Sequence, residues 1–214
     1  MLTTSAMAGV GAIALGMVLT PGPNMMYLVS RSITQGRAAG LVSLAGVAAG
    51  FLVYLMATTV GITALFVAVP QLYLAVKLAG ACYLLWLAWQ AVRPGGFSVF
   101  EARSLPHDSR RRLFTMGLLT NLLNPKIAIM YLALIPQFID VDAGAVWLQS
   151  LALGGVQIAI ALTVNALIVC GAAVISSFLT QRPAWLRAQR WVMGTVLGGL
   201  AINLATDRAR PAMA

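Results

Sequence analysis

The chain has 214 residues, 60% of them hydrophobic and 9% charged, with a mean hydropathy of +0.89. A soluble domain carries about 25% charged residues, so these values exclude one and define an integral membrane protein. The net charge of +9 falls in short segments between apolar runs, which excludes a solvated nucleic-acid-binding face and reads instead as a set of topology signals.

The first apolar run, about Ala6 to Ser30, is 25 residues long. As a helix it measures about 37 Å, enough for a hydrocarbon core of about 30 Å. No positive charge precedes it, whereas Arg31 and Arg37 follow it. That is the reverse of a signal peptide's polarity, so the run is expected to be retained, with the N-terminus outside. Within it lies Thr20-Pro21-Gly22-Pro23-Asn24. Each proline lacks a backbone N–H and crowds the carbonyl of the preceding turn, so the helix must open there and free groups that hydrocarbon cannot satisfy. Such a break persists only where it faces protein or a wet cavity.

The second run, about Ala39 to Val67, carries Ser43, Gly46, Gly50, Tyr54, Ala57 and Gly61 within a narrow stripe at 100° per residue, the mark of close helix packing. An uncharged connection around Pro70 and Gln71 leads to the third, about Leu72 to Val92, where Lys77 shares a small-residue face with Gly80, Ala81 and Ala88. An ionisable residue inside a span is functional by default, although a lysine two turns deep also reaches the interface by snorkelling. Arg93 to Arg112 is the one long polar stretch and reads as an inside linker between halves 1–92 and 113–214. Its Arg110-Arg111-Arg112 triplet is a topology anchor, and the sole histidine, His107, sits in it away from any membrane site.

The fourth run, about Leu113 to Phe138, holds a second interruption, Asn121-Leu122-Leu123-Asn124-Pro125-Lys126. Lys126 is too deep to snorkel easily, and reads as a substrate contact or as a partner for carbonyls exposed at a helix C-terminus. Asp140 and Asp142 mark an outside loop. The fifth run, about Val146 to Phe178, places Gln157 and Asn165 on one face with Gly154 and Ala161, for helix–helix hydrogen bonds or for substrate. Arg182, Arg187 and Arg190 form an inside loop before the sixth run, about Trp191 to Thr206, which is expected to pack through Gly194 and Gly198. Ten of the Lys and Arg residues are assigned inside, two (Arg208 and Arg210) outside and two, the lysines, within spans. Cys82 and Cys170 stand singly in apolar runs, without a C-x-x-C pair, and are expected to be buried small hydrophobes rather than metal or redox groups.

Leu19-Thr20 and Asn24 recur as Leu119-Thr120 and Asn124, an offset of 100 residues. Three spans per half, with an interruption in the first of each, force the halves into opposite orientations. The expected fold is therefore an all-α integral membrane protein of six transmembrane helices in two inverted three-helix repeats with broken first helices, with both termini outside. Secondary transporters follow this plan and bind substrate between the repeats where helices are discontinuous.

Three stretches carry a family resemblance: Pro21-Gly22-Pro23-Asn24, the run from Lys77 to Leu87, and Asn121 to Lys126 followed by Pro136-Gln137-Phe138. In them, and over about Leu15 to Leu204, the chain resembles the LysE/RhtB family of bacterial amino-acid exporters. The resemblance implies a protein of the bacterial cytoplasmic (inner) membrane that exports amino acids or close analogues, driven by the proton gradient or the membrane potential. Members often carry an acidic residue just after the Gly-x-x-x-Gly of the second run, where this chain has Phe51. No carboxylate is then left within a span, which argues against a Glu or Asp proton relay and against a cationic substrate.

A zwitterion crossing lipid needs a donor for its carboxylate and acceptors for its ammonium. The candidate binding residues are Asn24, Asn124, Lys126, Gln157 and Asn165. Pro21, Gly22, Pro23 and Pro125 open the backbone. The expected partners are an amino acid and membrane lipids, with protons a candidate coupling ion and a homodimer a candidate assembly; neither nucleic acid, metal nor other cofactor is expected. Two rival readings are an exporter of metal or other small cations, for which the spans lack clustered ligands, and a non-transporting assembly subunit, which would not require prolyl breaks. An enzyme is not expected, since no nucleophile–base pair or metal motif is present.

Overall fold

The computed structural model describes residues 3–62, 70–93, 107–180 and 183–206. Every regular element among them is helical. Helix α1 (Thr4–Leu19) starts on Thr3, whose side chain accepts from the Ala6 N–H, and stops where Pro21 pushes Thr20 into an extended conformation (φ −80°, ψ 127°). Helix α2 (Pro23–Gln35) restarts at once, with Pro23 in its first turn, where the missing N–H costs nothing. The two helices meet at a bend of 53°. Gly36, at φ 86°, ends α2 and begins α3 (Arg37–Ala57), a turn that a residue with a side chain rarely makes. Arg31, which follows the apolar run, therefore still lies on α2.

Helix α3 widens into a π-helical turn at Thr58–Ile62, and α4 follows at Pro70–Val92. The second half repeats the pattern. Helix α5 (Arg110–Leu122) begins on Ser109, which accepts from Arg112 N, so the arginine triplet is its exposed first turn. Asn124 is extended before Pro125 and caps α6 (Pro125–Ile129), which continues through a π turn (Met130–Leu134) and a 3-10 turn (Ile135–Phe138). Pro136 accounts for that irregularity, because it removes the N–H that a regular helix would pair with Leu132 O. Here the bend is 50°. Helix α7 spans Val146–Thr180 and α8 spans Pro183–Thr206. Arg187 and Arg190 thus fall within α8, not in a loop, because Pro183 starts the helix earlier than the apolar run does.

Among the described residues, Arg37–Val60 and Val146–Ala172 are each long and apolar enough to cross a bilayer, and each bent pair passes the same test as one span. The molecule is an all-α, multi-pass bundle with two broken helix pairs. Among the described residues many large apolar side chains, Leu52, Val53, Met56, Leu74, Trp86, Trp89 and Leu167 among them, are turned outward as lipid demands.

Of the stripe on α3, Ser43, Gly46, Gly50 and Tyr54 pack as expected. A Cβ at Gly46 would collide with Phe114 O, one at Gly117 with Ser43 O, and one at Gly50 would stand 2.7 Å from the Asn121 side chain, so α3 and α5 lie main chain to main chain. Tyr54 adds a hydrogen bond to Leu122 O at 2.8 Å. Ala57 is exposed and outside this contact, and the surroundings of Gly61 lie outside the described residues. The packing is reciprocal: α1 lies on α7 as α5 lies on α3, and α4 pairs with α8. In that last pair Gly194 sits against Val92 and Ala88, but Gly198 faces open space, so the expected contact through Gly198 is not made. Cys82 and Cys170 are likewise exposed rather than buried, since the helix faces they occupy point away from the bundle. Asp207, Arg208, Arg210 and most of the expected linker, including Arg103, lie outside the described residues.

Candidate functional site

The two breaks meet. Thr20, Gly22 and Asn24 from the first and Asn124, Lys126 and Ile127 from the second line one cavity, closed on its other sides by Phe51 of α3, Met130, and Gln157, Ala161 and Asn165 of α7. Its apolar wall is completed by Ala14, Met17, Val18 and Met25. All five expected binding residues line it. Of the break residues Gly22 does so, whereas Pro21, Pro23 and Pro125 do not. The space is small, about 30 Å³ open to the centre of a water molecule.

Lys126 is the sole charged group in this lining. Its Nζ donates to Met17 O at 2.8 Å and to Thr20 O at 2.6 Å, across the sequence from the second break to the first. These carbonyls belong to the open C-terminal end of α1, the negative end of its dipole. Gly22 makes the approach possible: a Cβ there would stand 3.1 Å from Nζ. Its backbone is extended (φ −166°, ψ −179°), so what glycine contributes is space rather than an unusual bend.

Asn124 divides its amide. Oδ1 accepts from Lys126 N at 3.1 Å as the cap of α6, while Nδ2 is buried without a partner. Asn24 Oδ1 is also buried without a partner. An orphaned acceptor from one break and an orphaned donor from the other thus belong to one cavity. Gln157 Oε1 accepts from Tyr131 Oη at 2.7 Å, and the Tyr131 ring stacks on Tyr54 with centroids 5.4 Å apart. Asn165 Nδ2 donates to Ala161 O of its own helix at 2.8 Å. Lys77 is buried in α4 and does not line the cavity.

Several groups escaped the sequence. Asp108, four residues before Arg112, binds it at 3.1 Å and also binds Arg31 of α2 at 2.7 Å, with its own side chain 3% exposed. The i, i+4 spacing of Asp108 and Arg112 signalled half of this; nothing in the sequence signalled Arg31. Tyr27 Oη, beneath the Arg31 guanidinium, donates to Leu113 O at 2.8 Å. Neighbouring His107 is exposed. Asn121, wedged against Gly50, is fully buried with neither end of its amide partnered.

A lipid-facing helical bundle with two prolyl breaks around a buried polar cavity defines a membrane carrier for a small solute. The profile of the family described as LysE type translocator matches residues 15–208, and the chain belongs to that family. It is a secondary transporter of the amino-acid exporter type and not an enzyme. A leucine efflux protein of Enterobacter sp. strain 638 is 26% identical over 193 residues, 88% of this chain and 90% of that one. A leucine efflux protein of Klebsiella pneumoniae is 26% identical over 201 residues, 92% of each. An uncharacterized membrane protein of Pseudomonas aeruginosa is 27% identical over 197 residues, 88% of this chain and 89% of that one. No solved structure matches the chain.

Proposed function

We propose that the chain exports a neutral amino acid with an apolar side chain, or a close analogue, from the cytoplasm by alternating access at this cavity. One observation carries the reading: Asn24 Oδ1 and Asn124 Nδ2, both buried and both unpartnered, belong to the same apolar-walled cavity at two helix breaks. A buried polar group without a partner costs about 1–3 kcal/mol. A zwitterion would satisfy both, its ammonium donating to Asn24 and its carboxylate accepting from Asn124 and from the remaining N–H of Lys126. Gln157 and Asn165 complete the polar side. Phe51, Met17, Met25 and Met130 suit an aliphatic side chain, in keeping with the leucine named for two relatives. A cavity of about 30 Å³ holds about two waters at about 10–15 Å³ each, so an amino acid enters only when the helices separate.

The reciprocal packing of α1 on α7 and α5 on α3 supports two inverted repeats of three spans, 1–92 and 113–214, joined by a cytoplasmic linker at 93–112. With Arg31, Arg37 and Arg110–Arg112 inside, both termini lie outside. Protons as the coupling ion and a homodimer as the assembly belong to the same proposal. A rival cation exporter is disfavoured, because the described residues hold no group of three His, Cys, Asp or Glu side chains. Vesicles loaded with a panel of labelled amino acids test the reading: faster loss of leucine, isoleucine or valine with the protein is expected, and unchanged retention of the whole panel overturns it.

A further inference from the structure

The open C-terminal end of a broken helix is where membrane carriers commonly seat a coupling alkali cation, because bare carbonyls and the negative end of the dipole converge there. In this protein the seat at α1 is filled from within. Lys126 Nζ lies 2.8 Å from Met17 O and 2.6 Å from Thr20 O, on a side chain 5% exposed, reached from the opposite break. Thr20 N also bonds to Met17 O, so the two carbonyls form one compact end of α1. No carboxylate lines the cavity to claim the ammonium instead, and Gly22 supplies the clearance the lysine needs.

We propose that the Lys126 ammonium is a tethered cation standing where a free sodium ion would otherwise be required, so that export needs no alkali cation and Lys126 positions the α1 end with two of its N–H groups while the third remains for the substrate. This rests on the export reading above, and adds to it which ions the cycle does without. A covalently held cation cannot be released to the far side, so its binding cannot draw on a sodium gradient. The driving force must then come from elsewhere.

The wild-type protein in leucine-loaded proteoliposomes gives the first test. Replacing all sodium by choline should leave the flux within about twofold. Lys126→Ala, which empties the seat, should lose flux about tenfold or more and regain several-fold with methylammonium chloride, small enough to enter, but not with choline chloride. Lys126→Met, which fills the space without charge, should be inactive and not rescued. A wild-type flux that collapses without sodium overturns the inference, as does a fully active Lys126→Met or an inserted, inactive Lys126→Ala that methylammonium leaves unchanged. If Lys126→Ala does not insert, the sodium replacement decides alone. If the wild type moves no amino acid, the export reading fails and thermal unfolding in detergent takes over. Methylammonium should then raise the Tm of Lys126→Ala and leave that of the wild type unmoved, and equal responses overturn the tethered cation.

Discussion

Replacing Asn24 by alanine separates a group kept for substrate from one kept for the fold. In the structure Asn24 Oδ1 is buried and accepts nothing, so the native protein carries a desolvated acceptor worth about 1–3 kcal/mol of lost stability. Alanine removes that atom and breaks no bond that Oδ1 makes. Stability should therefore hold or rise by about 1 kcal/mol, a Tm shift of about 2–4 °C upward for a chain of this size. Transport should move the other way. A hydrogen bond to a charged ammonium contributes about 1.5–3 kcal/mol, so its loss lowers flux about 10- to 150-fold. Thermal unfolding in detergent and efflux from loaded vesicles, measured on one preparation, check both signs. A variant that unfolds markedly earlier while exporting within twofold of wild type would refute the reasoning, since Asn24 would then be supporting the fold and not the solute.

Asn124 has two separable roles, and two variants read them: Asn124→Ser keeps an oxygen to cap α6 and should retain stability, whereas Asn124→Ala loses the cap at about 1 kcal/mol, and both should lose export because both lack Nδ2. Gly46→Val should prevent stable insertion, as measured by the yield of monodisperse protein, because its Cβ meets the fixed main-chain oxygen of Phe114 rather than a side chain that can move. Asp108→Asn should lower the Tm by weakening two ionic contacts at once, those to Arg31 and Arg112, at about 1–3 kcal/mol together, and an unchanged Tm would mean that this buried carboxylate holds nothing.

The breaks were legible because proline acts locally. Pro21, Pro23 and Pro125 determine where helices stop and restart whatever surrounds them, and the bends fall there. The small-residue stripe on α3 was legible for a similar reason, since Gly46 and Gly50 repeat at helical spacing and only a close neighbour uses that face. The partners across the bundle were not legible. Nothing local says that Lys126 reaches Thr20 O rather than solvent, that Tyr131 finds Gln157, or that Asp108 finds Arg31, because each of these contacts joins elements that only the tertiary fold brings together. Gly198 and the two cysteines were misread for the converse reason. In a membrane protein the outer face is apolar too, so small or apolar character does not separate a packed face from a lipid-facing one, and Cys82 and Cys170 sit on the latter.

The narrowness of the cavity constrains how it opens. Helix α1 lies on α7 and α5 lies on α3, so a widening motion that keeps these pairs together moves α1 and α7 against α3 and α5, with α2 packed on both α3 and α7. At the arginine-bearing end this seam is crossed by the Tyr27 hydroxyl on Leu113 O and by Arg31 on Asp108. A neutral hydrogen bond exchanges with water for about 0.5–1.5 kcal/mol and one to a charged group for about 1.5–3 kcal/mol, and water is available at a bundle end. Toward the far end the crossing contacts include the Tyr131 hydrogen bond to Gln157, the stacking of Tyr131 on Tyr54 and the packing of Leu55 on Gly154, where a fully buried ring would have to leave its neighbours. The contacts that water can replace therefore stand at the arginine-bearing end, beside the close packing of Gly40 on Ser32 and Val169. The proposed topology places that end at the cytoplasm, the side from which an exporter takes its load.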